Sequence, residues 1–220
     1  MRLLLQAAAL LALLPCAIAL GQGATQGAGA ASSRPANAVM SSTEASAWVH
    51  DHMQGWPPKT VALAVTLVQK YGKPEDVGAR HLTWYGNGPW KRTALLRDGV
   101  SHNFPQPHQD ILEQTVDYRV PAKKVADLLA YDGSLVIDRT RGELSAHCNT
   151  EEMNIITLNI ANDVATGERS VEQALAYHAQ VVEGLFIHEP ETYPQKLRFK
   201  AQAATGDPGE EAQLLQHLSR

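Results

Sequence analysis

Three observations predict an α+β fold with an antiparallel sheet. Apolar residues recur at three- and four-residue spacing at both ends of the folded region. Alternating segments in its middle are joined by short turns. Strands and helices do not alternate one for one, as a parallel sheet would require. The expected sheet has about five strands built from hairpins, with helices packed on it in the order ααβββαββαα. The chain has 220 residues, 44% hydrophobic and 19% charged, which suits one ordinary domain and excludes collagen, coiled-coil and multi-span membrane architectures. A net charge of −4 offers no basic surface for nucleic acid, so none is expected as a partner.

The elements follow in order. Ala45, Trp48, Val49, His52, Met53 and Trp56 define an amphipathic helix, ended by Gly55 and Pro57-Pro58. A second helix over residues 60–71 carries Val61, Leu63, Val65, Leu67 and Val68 nearly all round and is expected to be central. Gly72-Lys73-Pro74 stops it. Residues 81–85 and 90–97 flank Asn87-Gly88 and read as a hairpin. Over residues 111–120, Leu112, Gln114, Val116, Tyr118 and Val120 share one face, and Glu113, Thr115, Asp117 and Arg119 the other. Pro121 opens a helix with Val125, Leu128 and Leu129, stopped by Gly133. Residues 135–138 and 143–148 form a second hairpin around Thr140-Arg141-Gly142. Asn149 with Glu152, and Ser170 with Gln173, cap the last two helices.

The N-terminus reads as a secretory leader over residues 1–24: Arg2, an apolar run broken by Gln6 and Pro15, then Ala17, Ala19, Gly21, Gly23 and Ala24. An uncleaved anchor is disfavoured by Pro15 and the Gly-Ala stretch. Lipidation at Cys16 is disfavoured because Pro15 is not the small residue that processing needs. The protein is therefore expected to be exported, periplasmic or secreted rather than membrane-tethered, with no span once the leader is removed. Residues 25–42 read as a Gly/Ala/Ser tether, 43–199 as the folded domain, and 200–220 as a mobile tail with a short helix through Leu214, Leu215 and Leu218. Without the leader, Cys148 is the single cysteine, and an intramolecular disulfide is excluded.

Residues 71–172 resemble a family of uncharacterised exported bacterial proteins. The likeness rests on Trp90-Lys91-Arg92, His102-Asn103-Phe104-Pro105 with Pro107-His108, Leu112-Glu113-Gln114, Tyr118-Arg119-Val120-Pro121, Gly142-Glu143-Leu144-Ser145-Ala146 and Leu158-Asn159-Ile160-Ala161. The resemblance implies export and brings no reaction with it. The order of two helices, Tyr71-Gly72-Lys73-Pro74 and an aromatic strand is also similar to small envelope assembly modules, a likeness of fold alone.

The densest polar cluster runs from His102 through Asn103, Phe104, Pro105, Gln106, Pro107, His108 and Gln109 to Asp110. Its prolines predict a stiff extended connector. Two imidazoles and a carboxylate are the donors a divalent transition metal such as zinc prefers, although the spacing fits no established motif. His102, His108 and Asp110 are the candidate ligands. His108, Asp110 and Glu113 are the candidates for catalysis, with no firm catalytic residue. His147 shares a strand face with Glu143, while Cys148 points the other way, so His147-Cys148 is not a dyad and Cys148 reads as a small buried hydrophobe. His102, Phe104, His108, His147, Trp84 and Trp90 are the candidates for binding a ligand or partner.

Two functional readings stand on these residues. The favoured one is a non-catalytic exported module that binds an envelope protein or small ligand and needs no cofactor. The alternative is a metal- or histidine-dependent hydrolase centred on His102, His108 and Asp110.

Overall fold

The structure is a computed structural model that describes residues 39–186 and 195–209. All of these belong to the unit Ser33–Arg220. The leader, Cys16, most of the tether and the terminal helix through Leu214, Leu215 and Leu218 lie outside the described residues.

The α+β expectation is met. Helices α1 (Ser42–His52) and α2 (Pro58–Tyr71) precede strands β1 (Asp76–Val77), β2 (His81–Asn87), β3 (Trp90–His102) and β4 (His108–Asp117). A 3-10 turn at Ala122–Lys124 leads into α3 (Val125–Tyr131), and β5 (Val136–Asp138), β6 (Glu143–Cys148), α4 (Glu151–Thr166) and α5 (Val171–Phe186) follow. The sheet is antiparallel in the order β1-β2-β3-β4-β6-β5. Six strands replace the expected five because Asp76 and Val77 pair with Thr83 and Leu82. A two-residue edge strand leaves too little alternation to read.

Strand register explains where the core sits. Leu82 pairs with Leu95, Leu95 with Leu112, and Leu112 with Cys148, so one row crosses four strands on one face. The neighbouring row of Thr83, Ala94, Glu113 and His147 faces the other way. Helices α1 and α2 bury Ala45, Trp48, Val49, Leu67 and Val68 with Leu82, Trp84, Leu95 and Leu112. Helices α3, α4 and α5 bury Leu128, Ile156, Leu158, Ile160 and Val181 with Val116, Leu144 and Ala146. Apolar burial on this side, at about 25 cal/mol per Å², is the main driving force for the fold.

Several details depart from the expected pattern. Helix α2 buries one face, Thr60, Ala64, Leu67 and Val68, rather than its whole circumference. Valines 61 and 65 and Leu63 are only partly covered, since the sheet packs against one side alone. The first hairpin turns one residue later than expected: Asn87 pairs with Trp90, leaving Gly88-Pro89 as the loop. Gly88 has φ +65°, a conformation that glycine adopts without strain. The cap of α4 is Thr150, not Asn149; its hydroxyl accepts from the Met153 amide. The Ser170–Gln173 capping box is present as expected.

Asparagines on α4 serve packing. Asn154 donates to the Leu112 carbonyl and to Gln114 on the sheet, and Asn159 bonds to the backbone of Lys196 and Arg198. Beyond Phe199 the chain stays attached through residue 209. Gln202 donates to the Asp117 carbonyl, Thr205 is buried, and Asp207 pairs with Arg139 at 2.8 Å. Among the described residues, no helix is long and apolar enough to cross a membrane.

Candidate metal centre

The expected connector from His102 to Asp110 is strand at both ends. β3 runs through His102 and β4 starts at His108, with His102 opposite His108 and only five residues, 103–107, at the hairpin tip. Proline restricts φ and removes a donor, yet Pro105 and Pro107 both fall in the loop, where neither interrupts the ladder. Successive strand residues alternate, so His108 and Asp110 fall on the helix-covered face with Leu112, and His102 joins them by cross-strand pairing.

One donor atom each from His102, His108 and Asp110 lies within 4.8 Å of the others. His108 Nε2 is 3.0 Å from Asp110 Oδ1, and His102 Nδ1 is 3.4 Å from Asp110 Oδ2. The imidazole centroids are 5.0 Å apart. The remaining ring nitrogens face outward to acceptors. His108 Nδ1 is 2.8 Å from the Gln106 carbonyl, which makes it the N–H donor and leaves Nε2 free for the cluster. His102 Nε2 faces Asp132 Oδ1 at 3.8 Å, and that carboxylate is fixed by the amide and hydroxyl of Ser134. An imidazole held from behind by a carbonyl or carboxylate is the arrangement that orients histidines toward a metal.

Asp110 is buried, the two histidines are half-buried, and the polar atoms of the cluster are incompletely matched. Asp110 is 7% exposed, and its Oδ1 makes no aligned hydrogen bond; neither does His102 Nδ1. Both sit at ion-pair distance without N–H···O alignment. Burial raises the Asp110 carboxyl above its ordinary value, opposed by His102 and His108. No lysine or arginine pairs with Asp110 or Asp132 among the described ion pairs. Around the cluster, Phe104 packs edge-on against His178 at 5.1 Å. His178 is buried, accepts or donates with the Tyr131 hydroxyl at 3.0 Å, and is pushed down to about 4 by burial and by His102 and His108.

Cys148 is the neighbour that the sequence did not reveal. It points away from His147, as alternation requires, but its Sγ lies 3.3 Å from His108 Nε2. The signal is the pairing of Leu112 with Cys148, a register between strands far apart in the chain. Burial pushes its thiol up to about 12. A cavity of about 180 Å³ reaches His108 and Cys148 past Pro105, Gln106, Asn149 and Met153. A larger groove of about 960 Å³ between α2 and the sheet, lined by Pro58, Leu63, Arg97 and Ile111, also touches His108.

The other candidates lie elsewhere. Glu113 and His147 share the opposite sheet face, where His147 Nε2 is 3.2 Å from Glu113 and Arg92 bridges Glu113 and Glu143 at 3.3 Å. The close approach of His147 holds the Glu113 carboxyl down at about 2. Glu113 therefore cannot assist chemistry at Asp110. Trp84 and Trp90 are each 1% exposed, donating to the Gly72 carbonyl and to Glu151; they are core residues, not a binding surface. Compared with protein-family models, curated proteins and solved structures, the chain matches none of them.

Proposed function

We propose that this protein is an exported metal-binding module that holds one divalent transition ion, of the zinc class, at His102, His108 and Asp110. The observation that carries the reading is the convergence of three donor atoms within 4.8 Å, two of them in unaligned, buried positions. Buried polar atoms are nearly always hydrogen-bonded, and an orphaned carboxylate oxygen beside an orphaned imidazole nitrogen asks for a cation. The outward-facing nitrogen of His108 already has its acceptor in the Gln106 carbonyl, which sets that ring for coordination, and His102 Nε2 faces the Asp132 carboxylate at 3.8 Å. Imidazole and carboxylate together suit zinc better than magnesium or calcium, which take oxygen donors. Export is supported by the leader-like residues 1–24.

The test is calorimetric titration of zinc chloride into chelator-treated, untagged full chain. One ion per chain is expected, with binding abolished by His108→Ala and Asp110→Asn and retained by His147→Ala on the opposite sheet face. Absence of binding, or equal loss in the His147 variant, overturns the proposal.

A further inference from the structure

We propose that Cys148 is the fourth ligand of this ion, bound as a thiolate, and that it closes the coordination sphere. This rests on the metal-binding reading above.

Strand register puts the sulfur on the right side. Cys148 pairs with Leu112, two residues from Asp110 on the same strand face, so Sγ, Asp110 and His108 all project under the helices. The contact is with the nitrogen that faces the cluster: His108 Nε2 lies 3.3 Å from Sγ and 3.0 Å from Asp110 Oδ1. Tetrahedral zinc, with bonds of about 2.0–2.3 Å, places neighbouring donors roughly 3.3–3.6 Å apart. The contacts made here are on that scale: His108 Nε2 is 3.0 Å from Asp110 Oδ1 and 3.3 Å from Sγ, and the second carboxylate oxygen, Asp110 Oδ2, is 3.4 Å from His102 Nδ1. Sγ touches His108 but stands outside the triangle that His102, His108 and Asp110 close within 4.8 Å, so the fourth bond requires the sulfur to swing inward as the ion binds.

The surroundings are wrong for an inert buried thiol. A small hydrophobe is expected among apolar side chains, whereas Cys148 lies beside an imidazole and within the field of Asp110 and Asp132. Asp110 is more than nine-tenths buried, and its Oδ1, 3.0 Å from the same His108 nitrogen that touches Sγ, makes no aligned hydrogen bond. One divalent ion balances one carboxylate and one thiolate. The cavity of about 180 Å³ that Cys148 and His108 line supplies a path for ion exchange. On coordination the S–H bond breaks, the proton passes to solvent, the sulfur–metal bond forms, and no electrons are transferred.

Two consequences follow. Four protein donors leave no position for an activated water, so the centre holds its ion rather than hydrolysing a substrate. A thiolate also turns the preference toward zinc, cobalt and copper(I) and away from magnesium and calcium.

Cobalt(II) titration of the reduced, metal-free full chain provides the test. The expected spectrum has intense visible bands of tetrahedral cobalt and a near-ultraviolet sulfur-to-cobalt charge-transfer band. Cys148→Ser is expected to keep circular dichroism and cobalt binding, to lose the charge-transfer band, and to bind zinc at least about tenfold more weakly. Cys148→Ala serves as the second variant, and the unsubstituted spectrum decides even if neither variant folds. Cobalt bound without the sulfur band, or the band persisting in Cys148→Ser, overturns the Cys148 assignment and leaves the metal centre standing. Failure of the unsubstituted chain to bind cobalt or zinc overturns both.

Discussion

Replacing Glu113 by glutamine tests the polar face of the sheet without touching the metal centre. The substitution keeps the size of the side chain and removes its charge. Glu113 is held at about 2, against an ordinary 4.5, first by the close polar contact with His147 at 3.2 Å and then by the charges of His147 and Arg92. A carboxyl lowered by that much gains roughly 3 kcal/mol for its charged form. The side chain is 21% exposed, and solvent screening reduces the usable figure to about 2 kcal/mol. Because the folded value lies below the unfolded one, this contribution is complete above about pH 4.5 and fades as pH falls toward 2. Urea denaturation of both proteins at stepped pH measures it. The substituted protein is expected to be about 2 kcal/mol less stable near pH 7, with more than half of that gap gone by about pH 3. A gap that stays constant across this range, or no gap at neutral pH, refutes the reasoning.

Two substitutions probe the fold itself. Leu144→Ala removes a fully buried side chain from the β4–β6 row beneath α4 and is expected to cost about 2–5 kcal/mol by urea denaturation, with no change in zinc stoichiometry. Gly142→Ala forces a side chain onto φ +67° and places its Cβ 2.2 Å from the Thr205 carbonyl carbon. It is expected to destabilise by at least about 1–2 kcal/mol and to free residues 202–207 for cleavage at Lys200, read by limited trypsinolysis.

The fold was legible where signals are local. Gly72 after Tyr71, the Ser170–Gln173 box, the turn at Gly142 and the alternation of residues 111–120 each specify their element through neighbours within a few positions. The candidate site was legible in composition but not in shape. Three of its donors could be named from the His-Pro segment, yet the prolines suggested a rod where the backbone forms a hairpin tip. Proline limits its own residue and the one before, and says nothing of whether flanking residues find a partner strand. Cys148, Asp132 and His178 were missed as neighbours because they reach the site through the β4–β6 register and through α3 and α5. Long-range pairing leaves no short-range trace. Glu113 was included wrongly with the site for a related reason: proximity in sequence to Asp110 outweighed strand parity, which sends it to the opposite face. The aromatic pair Trp84 and Trp90 looked like a surface because it flanks a turn, but both rings are buried and each indole N–H finds an acceptor within the fold.

The central claim is that His102, His108 and Asp110 hold a divalent transition ion. X-ray absorption at the zinc edge of the zinc-loaded full chain tests it directly, because imidazole rings leave a scattering signature that counts histidine ligands. The account predicts a four-coordinate ion with two imidazole nitrogens at about 2.0–2.1 Å and a carboxylate oxygen at a similar distance, and loss of one imidazole in His102→Ala. A shell of oxygens alone, or two imidazoles that persist in the His102 variant, would contradict it.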